Sequence, residues 1–289
     1  MFDAQEHIQF RQSNTPTITN PELLGLTTVE INPTELCNRT CSFCPRSNPA
    51  IYPNRNLHMT TETAEKLVAS LNDSKYDGEI HITGFGEPML NPNILKIIKI
   101  CSIFHTQLIT NGDRLMEDNP SVEDLAEAGL QTLIVDCYDG DKQVQAVSKR
   151  LQSSPIYARV RDHYDDGSNR YTEYNYTNRG GMMYETRAPN KPCHLPAYKA
   201  FVDFNGAVRL CCNDWQRNHN FGNIQTQSFT SIWNSTKMSR VRHLVNTSNR
   251  RLVNPCKNCD INGTLLGKDS SEIWKKHYGK IIKNRTMEG

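Results

Sequence analysis

Cys37-Asn-Arg-Thr-Cys41-Ser-Phe-Cys44 is the most informative stretch of the sequence, because it places three thiols in a loop directly after a predicted strand at 28–31. A closed structural zinc site needs four ligands and usually takes them from cysteine pairs spaced two residues apart. Three cysteines can instead hold three irons of a cubane and leave the fourth iron open. The spacing therefore indicates an iron–sulfur cluster with an open iron, with a zinc knuckle as the alternative.

The chain beyond this loop alternates between short apolar runs and longer amphipathic ones. Strands are predicted at 28–31, 79–83, 106–110, 132–136 and 156–161, and helices at 60–71, 93–103, 122–128 and 141–151. This alternation implies right-handed crossovers and a parallel sheet, closed or partly closed into a barrel. Ligands of such sheets bind at the carboxyl ends of the strands, which is where the cysteine loop is predicted.

Polar or glycine-rich segments stand at the ends of three further strands. Gly-Phe-Gly-Glu-Pro at 84–88 follows the second strand, Thr-Asn-Gly at 110–112 ends the third, and Asp136 ends the fourth. Glycine lets the backbone approach a ligand closely, and an ammonium group requires a carboxylate or carbonyl acceptor. Each segment alone could be an ordinary turn, since Asn-Gly favours turns.

The spacing of the three cysteines, with Phe43 before the last of them, resembles the signature of the radical S-adenosylmethionine (radical SAM) superfamily. The resemblance implies an α/β fold built on a partial (β/α)6 radical SAM barrel, with a 4Fe–4S cluster held by Cys37, Cys41 and Cys44. It implies that the open iron binds the amino and carboxylate groups of S-adenosylmethionine. Cleavage of this cofactor releases a 5′-deoxyadenosyl radical, so the chain is expected to be an enzyme.

The segments at the strand ends resemble the cofactor-binding elements of that superfamily. The 84–88 turn is similar to the glycine-glycine-glutamate-proline element that meets the methionine ammonium, although Phe85 and Gly86 depart from its simplest form. Residues 110–112 match the position that contacts ribose and carboxylate. Phe43, through its backbone as much as its ring, and residues 133–136 are expected near adenine. The cofactor-binding residues implied are Phe43, Gly84, Gly86, Glu87, Pro88, Thr110, Asn111, Gly112 and Asp136.

A second set of cysteines comprises Cys193, the doublet Cys211-Cys212 and Cys256-Lys-Asn-Cys259. Four thiolates can close either a zinc site or a cubane, so ligand number does not separate the two. The surrounding sequence at 202–211 and 221–224 resembles the auxiliary-cluster (SPASM) modules of the superfamily in their shortened "twitch" form. That form implies one auxiliary 4Fe–4S cluster on Cys193, Cys211, Cys256 and Cys259.

Cys211 is preferred to Cys212 as a ligand because it follows a predicted strand directly. A hairpin is predicted at 200–204 and 207–210, joined by Asn-Gly, a dipeptide suited to a tight turn with positive φ. Helices at 228–234 and 238–245 are predicted to follow it. Cys101 and Cys137 fall in core elements and are expected to be buried small apolar residues.

The expected domain organisation is an N-terminal arm at 1–25, the radical SAM barrel at 26–185, a small α+β auxiliary-cluster domain at 186–262 and a helical tail at 263–289. Residues 163–192 turn to Asp, Gly, Asn, Tyr and Arg, which predicts a linker or a substrate-facing loop. The tail carries several lysines with Trp274 and Tyr278, a pattern more typical of a solvated terminal helix than of a nucleic-acid contact.

Composition limits the partners and the compartment. Lys and Arg number 33 against 31 Asp and Glu, a formal charge of +2, so no global field favours nucleic acid or a membrane. The sequence has neither an apolar run long enough for a membrane helix nor an apolar signal stretch at its start, which favours the cytoplasm. Ten cysteines in such a chain favour metal binding over disulfides.

From about residue 28 to residue 259, the sequence resembles the alcohol-oxidising dehydrogenases of the superfamily, which act on amino-cyclitols. It implies a small-molecule substrate whose carbinol hydrogen is removed by the radical, the auxiliary cluster accepting an electron. Arg179, in Asn-Arg-Gly-Gly at 178–181, matches an arginine that lies over the substrate, and Asp214 is a candidate substrate contact. An external electron donor such as flavodoxin or ferredoxin is also implied.

Two other functions stay open. Related two-part enzymes modify peptides by crosslinking, epimerisation or oxidation, but the segment before residue 28 is short for the peptide-binding domain that many of them carry. A non-catalytic metal-binding scaffold would need the second cysteine set, yet it would have no use for the turns at 84–88 and 110–112.

Overall fold

The computed structural model describes residues 20–163 and 177–287. The strands among them are β1 Thr28–Ile31, β2 Glu79–Ile82, β3 His105–Thr110, β4 Thr132–Cys137, β5 Tyr157–Asp162, β6 Lys199–Val202, β7 Ala207–Arg209 and β8 Gly222–Asn223. These eight strands form one sheet in the order β5-β4-β3-β2-β1-β6-β7-β8. The predicted α/β fold is confirmed.

Strands β1 to β6 are all parallel to one another. β6 pairs with β1 in a register that runs from Thr28↔Lys199 to Ile31↔Val202. β7 and β8 complete the edge in antiparallel orientation, so the predicted hairpin is confirmed as β6 and β7. Its first strand is also the sixth parallel strand, and the barrel and the C-terminal module therefore share one sheet.

The α-helices are α1 Thr61–Asp73, α2 Ile94–Cys101, α3 Asp113–Met116, α4 Val122–Glu127, α5 Asp141–Arg150, α6 Leu195–Tyr198, α7 Phe229–Trp233, α8 Thr236–Asn246 and α9 Lys268–Met287. Local sequence explains where several begin. The Thr60 side chain accepts from the backbone at the start of α1, and Ser121 forms a capping box with Asp124 at the start of α4. α2 buries Ile94, Ile97, Ile98 and Cys101, the spacing of one helical face.

The main core lies between the helices and one face of the sheet. Val29 and Leu108 on that face are fully buried, as are Leu67 of α1 and Ile97 of α2. Burying each such side chain fully contributes about 1.5–3 kcal/mol. The other face carries polar residues such as Glu30 and is left for the site.

The C-terminal helix α9 is docked on the module rather than fully solvated. Trp274 is 1 % exposed and donates from Nε1 to the carbonyl of Ala197 at 3.1 Å. Arg242 of α8 lies 4.0 Å from the ring centroids of both Trp233 and Trp274. The predicted terminal helix is present, and its aromatic residues anchor it.

Two predictions lie partly outside the described residues: residues 1–19 of the N-terminal arm predicted at 1–25, and residues 164–176 of the linker or loop predicted at 163–192. None of the helices that the structure describes is both long and apolar enough to cross a membrane.

Candidate active site

A cavity of about 390 Å³ lies at the carboxyl ends of the parallel strands. Cys37, Cys41 and Cys44 line it together with Arg179. Every predicted cofactor-binding residue except Gly112 also lines it, so the turns that are separate in sequence meet at one site.

Hydrogen bonds fix the first cysteine loop at this edge. Asn54 accepts from the Cys37 backbone N–H and donates to its carbonyl, both at 2.9 Å. Arg39 donates to both carboxylate oxygens of Asp113, at 2.5 and 2.7 Å, and to those of Asp139, at 2.8 and 3.0 Å. This fork ties the loop to the segments after β3 and β4. The sequence analysis missed Arg39, although its place between two ligand cysteines was a signal.

The three thiols are half-buried and free. Burial raises the pKa of Cys37 and raises that of Cys41 to about 11. A metal centre favours the thiolate form and so compensates for this cost. Arg46, which is 3 % exposed and also lines the cavity, places a positive charge beside them.

Two glycines let the 84–88 turn lie flush against the segment after β1. Gly84 has φ +121°, and a Cβ there would collide with Asn32. A Cβ on Gly86 would collide with the carbonyls of Thr34 and Leu36. These positions therefore present only backbone to the cavity, as a ligand in close contact would require.

Glu87 links the ends of β2 and β3. Its carboxylate accepts from the Thr110 hydroxyl at 2.7 Å and from the backbone amides of Asn111 and Met89 at 2.9 and 3.0 Å. Burial raises the pKa of Glu87 to about 7. Each oxygen already accepts a hydrogen bond, so Glu87 holds the two turns together as well as lining the cavity.

Asp136 and Arg161 of β5 form a charged wall of the cavity, and His163, just after β5, contacts Asp136 as well. Arg161 donates to it from two nitrogens at 2.6 and 2.8 Å, and His163 lies 3.0 Å away. Burial opposes ionisation, but Arg161 and His163 hold the pKa of Asp136 well below its usual range. The carboxylate is therefore ionised and oriented.

Arg179 lies between the two cysteine sets. Its Nε donates to the carbonyl of Phe43 at 3.4 Å, and the backbone amide of the adjacent Gly180 lowers the pKa of the Cys259 thiol. Asn178 Nδ2 donates to the carbonyl of Asn258 at 2.6 Å and anchors the turn. Arg179 itself has φ 50°, a conformation that costs about 1–3 kcal/mol in residues other than glycine. Such strain at a cavity-lining residue is typical of functional positions.

The second cysteine set lies beside this turn. Cys193, Cys256 and Cys259 are buried. Cys211 packs against the core cluster that contains Cys193 and Cys256. Burial raises the pKa of the Cys211 thiol, and the neighbouring Cys212, Cys256 and Cys259 raise it further. Cys212 instead lines the cavity. The doublet thus directs one thiol toward each site.

Among the residues that the structure describes, no three His, Cys, Asp or Glu side chains converge closely enough to hold a single metal ion. In a cubane each thiolate binds a different iron, so its ligands need not meet at one point. The donor sets, three thiols on the cavity and four in the module, fit two such clusters.

Asp214 does not line the cavity. It is fully buried, and its carboxylate accepts from the backbone amides of Asn218 and His219 at 2.8 and 3.1 Å. These hydrogen bonds hold the turn that follows Cys212, and a contact between Asp214 and the substrate stays a prediction. The chain turns away after Cys212, which proximity in sequence could not reveal.

Comparisons with known proteins agree with this geometry. The model of the radical SAM superfamily matches residues 31–163, and that of SPASM, an iron–sulfur cluster-binding domain, matches residues 193–260. An S-adenosyl-L-methionine-dependent 2-deoxy-scyllo-inosamine dehydrogenase of Niallia circulans is 27% identical over 257 residues, which cover 83% of this chain and 94% of the relative.

Solved structures show the same fold. BtrN in complex with AdoMet and 2-DOIA matches with a TM-score of 0.72 at 25% identity, covering 84% of this chain and 96% of BtrN. Native anSMEcpe with bound AdoMet is similar in fold, with a TM-score of 0.55 at 14% identity, over 89% of this chain and 98% of that one. Together with the cysteine loop and the module, the family matches and the curated relative show an enzyme with a radical SAM domain over residues 31–163 and a SPASM iron–sulfur cluster-binding domain over residues 193–260.

Proposed function

We propose that this enzyme is a dehydrogenase that oxidises an alcohol of a small cyclitol or sugar-like substrate to a ketone. The observation that carries the proposal is the doublet Cys211-Cys212, in which Cys211 packs with the cluster that contains Cys193 and Cys256 while Cys212 lines the cavity. An electron acceptor held by Cys211 would be bound next to a residue that lines the cavity. The similarity to a 2-deoxy-scyllo-inosamine dehydrogenase supports the substrate class.

Cys37, Cys41 and Cys44 would hold the radical SAM 4Fe–4S cluster. Phe43, Gly84, Gly86, Glu87, Pro88, Thr110, Asn111, Gly112 and Asp136 would form the walls and supports of the S-adenosylmethionine site. When bound, this cluster and cofactor supply a 5′-deoxyadenosyl radical that takes a hydrogen atom from the substrate. The protein positions the cofactor and excludes water, chiefly through the Glu87 and Arg39 networks.

Three side chains on the cavity suit a hydroxyl-rich substrate. Arg179 donates hydrogen bonds and stabilises negative charge that develops on the substrate oxygen, but its guanidinium stays protonated and is no base. Glu30, which is 4 % exposed and paired with Lys199 at 2.7 Å, is an acceptor. The Trp215 Nε1–H is buried without a partner among the described residues and is a further donor.

Cys193, Cys211, Cys256 and Cys259 would hold the auxiliary 4Fe–4S cluster. This cluster would supply the acceptor for the one electron that must leave the alcohol after its carbinol hydrogen atom has been removed. With the hydroxyl proton released to solvent, the loss of that electron balances oxidation to the ketone. One electron has entered with cofactor cleavage and one leaves here, so the reaction needs no nicotinamide. A reduced one-electron carrier such as flavodoxin or ferredoxin starts each turnover.

The compartment that we propose is the cytoplasm, because cluster ligands must stay reduced. The ten cysteines are all free.

The test is transfer of deuterium from labelled substrates into 5′-deoxyadenosine. Anaerobically reconstituted protein should carry about eight irons per chain, as two cubanes require. Cyclitols and amino-sugars deuterated at the carbinol carbon should transfer the label and yield a ketone. Transfer from a peptide alone would favour the peptide-modifying alternative, and one zinc per chain without cofactor cleavage would favour a scaffold.

A further inference from the structure

Arg250 is a buried arginine held against the auxiliary cysteines. It is 1 % exposed and begins the short helical turn Arg250–Leu252. Its Nη2 donates to the carbonyl of Cys259 at 2.8 Å, and its Nη1 donates to the carbonyl of Ile261 at 3.1 Å. The two bonds fix the plane of the guanidinium beside the second ligand of the Cys256–Cys259 pair.

The charge of Arg250 has no protein counter-ion within 20–163 and 177–287. None of the ion pairs found there includes it. Its Nε is buried without a hydrogen-bond partner in the same part of the chain. A buried charge and a buried unpaired donor are both costly. Something other than these protein groups must therefore compensate Arg250.

Arg242, another buried arginine of the same module, has its positive charge stabilised by aromatic rings. Arg242 lies between the rings of Trp233 and Trp274, 4.0 Å from each centroid. Burial there lowers the pKa of Arg242 to about 10. Arg250 has no such pair of rings among the described residues. The groups beside it are thiols.

Three of the four auxiliary thiols lie within the field of Arg250. Burial raises the pKa of Cys193 to about 11 and also raises the pKa values of Cys256 and Cys259. The positive charge of Arg250 lowers the pKa of each of these thiols and so partly offsets the effect of burial. Thiolates that bind iron would bring the missing negative charge to this place.

We propose that Arg250 is the buried counter-ion of the auxiliary cluster and that its free Nε–H donates to a cluster sulfur. This rests on the proposed function, because it requires that the module hold an iron–sulfur cluster. Reduction adds negative charge to the cluster, and a fixed positive charge and an N–H···S bond both favour the reduced form. Arg250 is thus a positioning residue that makes the cluster a better acceptor for the substrate's electron.

The experiment measures the midpoint potential of the auxiliary cluster by redox titration followed with EPR, in the reconstituted full-length protein without substrate. Arg250→Gln should disfavour cluster reduction at least tenfold, which is about 59 mV for one electron. The signal of the Cys37–Cys44 cluster should not move. Arg251→Gln is the matched control, because it removes the same charge from the exposed neighbouring residue and should leave both potentials unchanged.

Arg250→Lys keeps the charge but not the guanidinium fork, and its potential should lie between those of wild type and Arg250→Gln. An unchanged potential in Arg250→Gln with about eight irons per chain would overturn the proposal. If Arg250→Gln does not take up the second cluster, Arg250→Lys is titrated instead, and a wild-type potential there would overturn it. Wild-type protein with only about four irons would instead refute the proposed function itself.

Discussion

The Nε of Arg179 donates to the backbone carbonyl of Phe43, 3.4 Å away, although the two residues stand 136 positions apart. Phe43 belongs to the first cysteine loop, and Asn178, on the other side of Arg179, donates from Nδ2 to the carbonyl of Asn258, which precedes Cys259 of the second set. A single turn therefore contacts the ligand loops of both sites. We expect this turn to link radical formation to oxidation of the substrate.

Replacing Arg179 by Gln should lower the rate of ketone formation about a hundredfold, because it removes a donor to the substrate oxygen. Formation of 5′-deoxyadenosine should continue without matching product. Both compounds are measured in the same anaerobic assay by mass spectrometry. Arg187→Gln, at an exposed arginine, is the control and should behave as wild type. Coupled turnover at the wild-type rate in Arg179→Gln would contradict the role.

Single substitutions can show whether Cys211 or Cys212 is the ligand of the auxiliary cluster. Cys211→Ser should reduce the iron content from about eight to about four per chain, whereas Cys212→Ser should keep about eight. The reason is that Cys211 packs against the core cluster that contains Cys193 and Cys256, whereas Cys212 lines the cavity. Iron analysis and the EPR spectrum of the second cluster decide between them, and the reverse pattern would make Cys212 the ligand.

The Arg39 fork should stabilise the first cysteine loop. Arg39→Gln removes hydrogen bonds to Asp113 and Asp139 and should cost about 1–3 kcal/mol of unfolding free energy, with slower uptake of the first cluster. Asp139→Asn should cost less than about 1 kcal/mol, because its side chain is 59% exposed. Urea denaturation and the rate of iron uptake measure both. An equal loss in the two variants would argue against the fork.

Glu87 should give the fold a pH dependence. Burial raises its pKa to about 7 from the model-compound value of 4.5, so the folded state binds the proton more tightly than the unfolded chain does. The contribution of Glu87 to the free energy of unfolding is therefore complete below pH 4.5. As the pH rises through 7, up to about 3 kcal/mol of this free energy is lost. Glu87→Gln should remove this loss when unfolding free energies at pH 5 and pH 8 are compared, and Glu65→Gln, at an exposed position, should retain it.

Structural features that depend on local chemistry could be predicted from the sequence. The cysteine spacing, the alternation of strands and helices and the Asn205-Gly206 turn each reflect rules that act within about ten residues, and the structure contains the corresponding loop, sheet and hairpin.

Features that depend on long-range pairing were not readable. Nothing near Lys199 indicates that β6 would pair with β1, since the partners lie far apart in the chain. The compensation of Arg39 by two distant aspartates, the burial of Asp214 and the setting of Arg250 also arise only when the chain is folded. Charged residues of this kind look like ordinary surface residues until their partners are known.

The pairing of β1 with β6 has a kinetic consequence. β1 leads into the loop of Cys37, and the hairpin that starts with β6 leads to Cys211, so one backbone ladder sets the separation between the place where the radical arises and the place where its electron goes. Tunnelling slows steeply as a gap widens. Because the paired strands β1 and β6 would keep this separation fixed, the electron of the substrate radical could be transferred before solvent or oxygen reaches the radical.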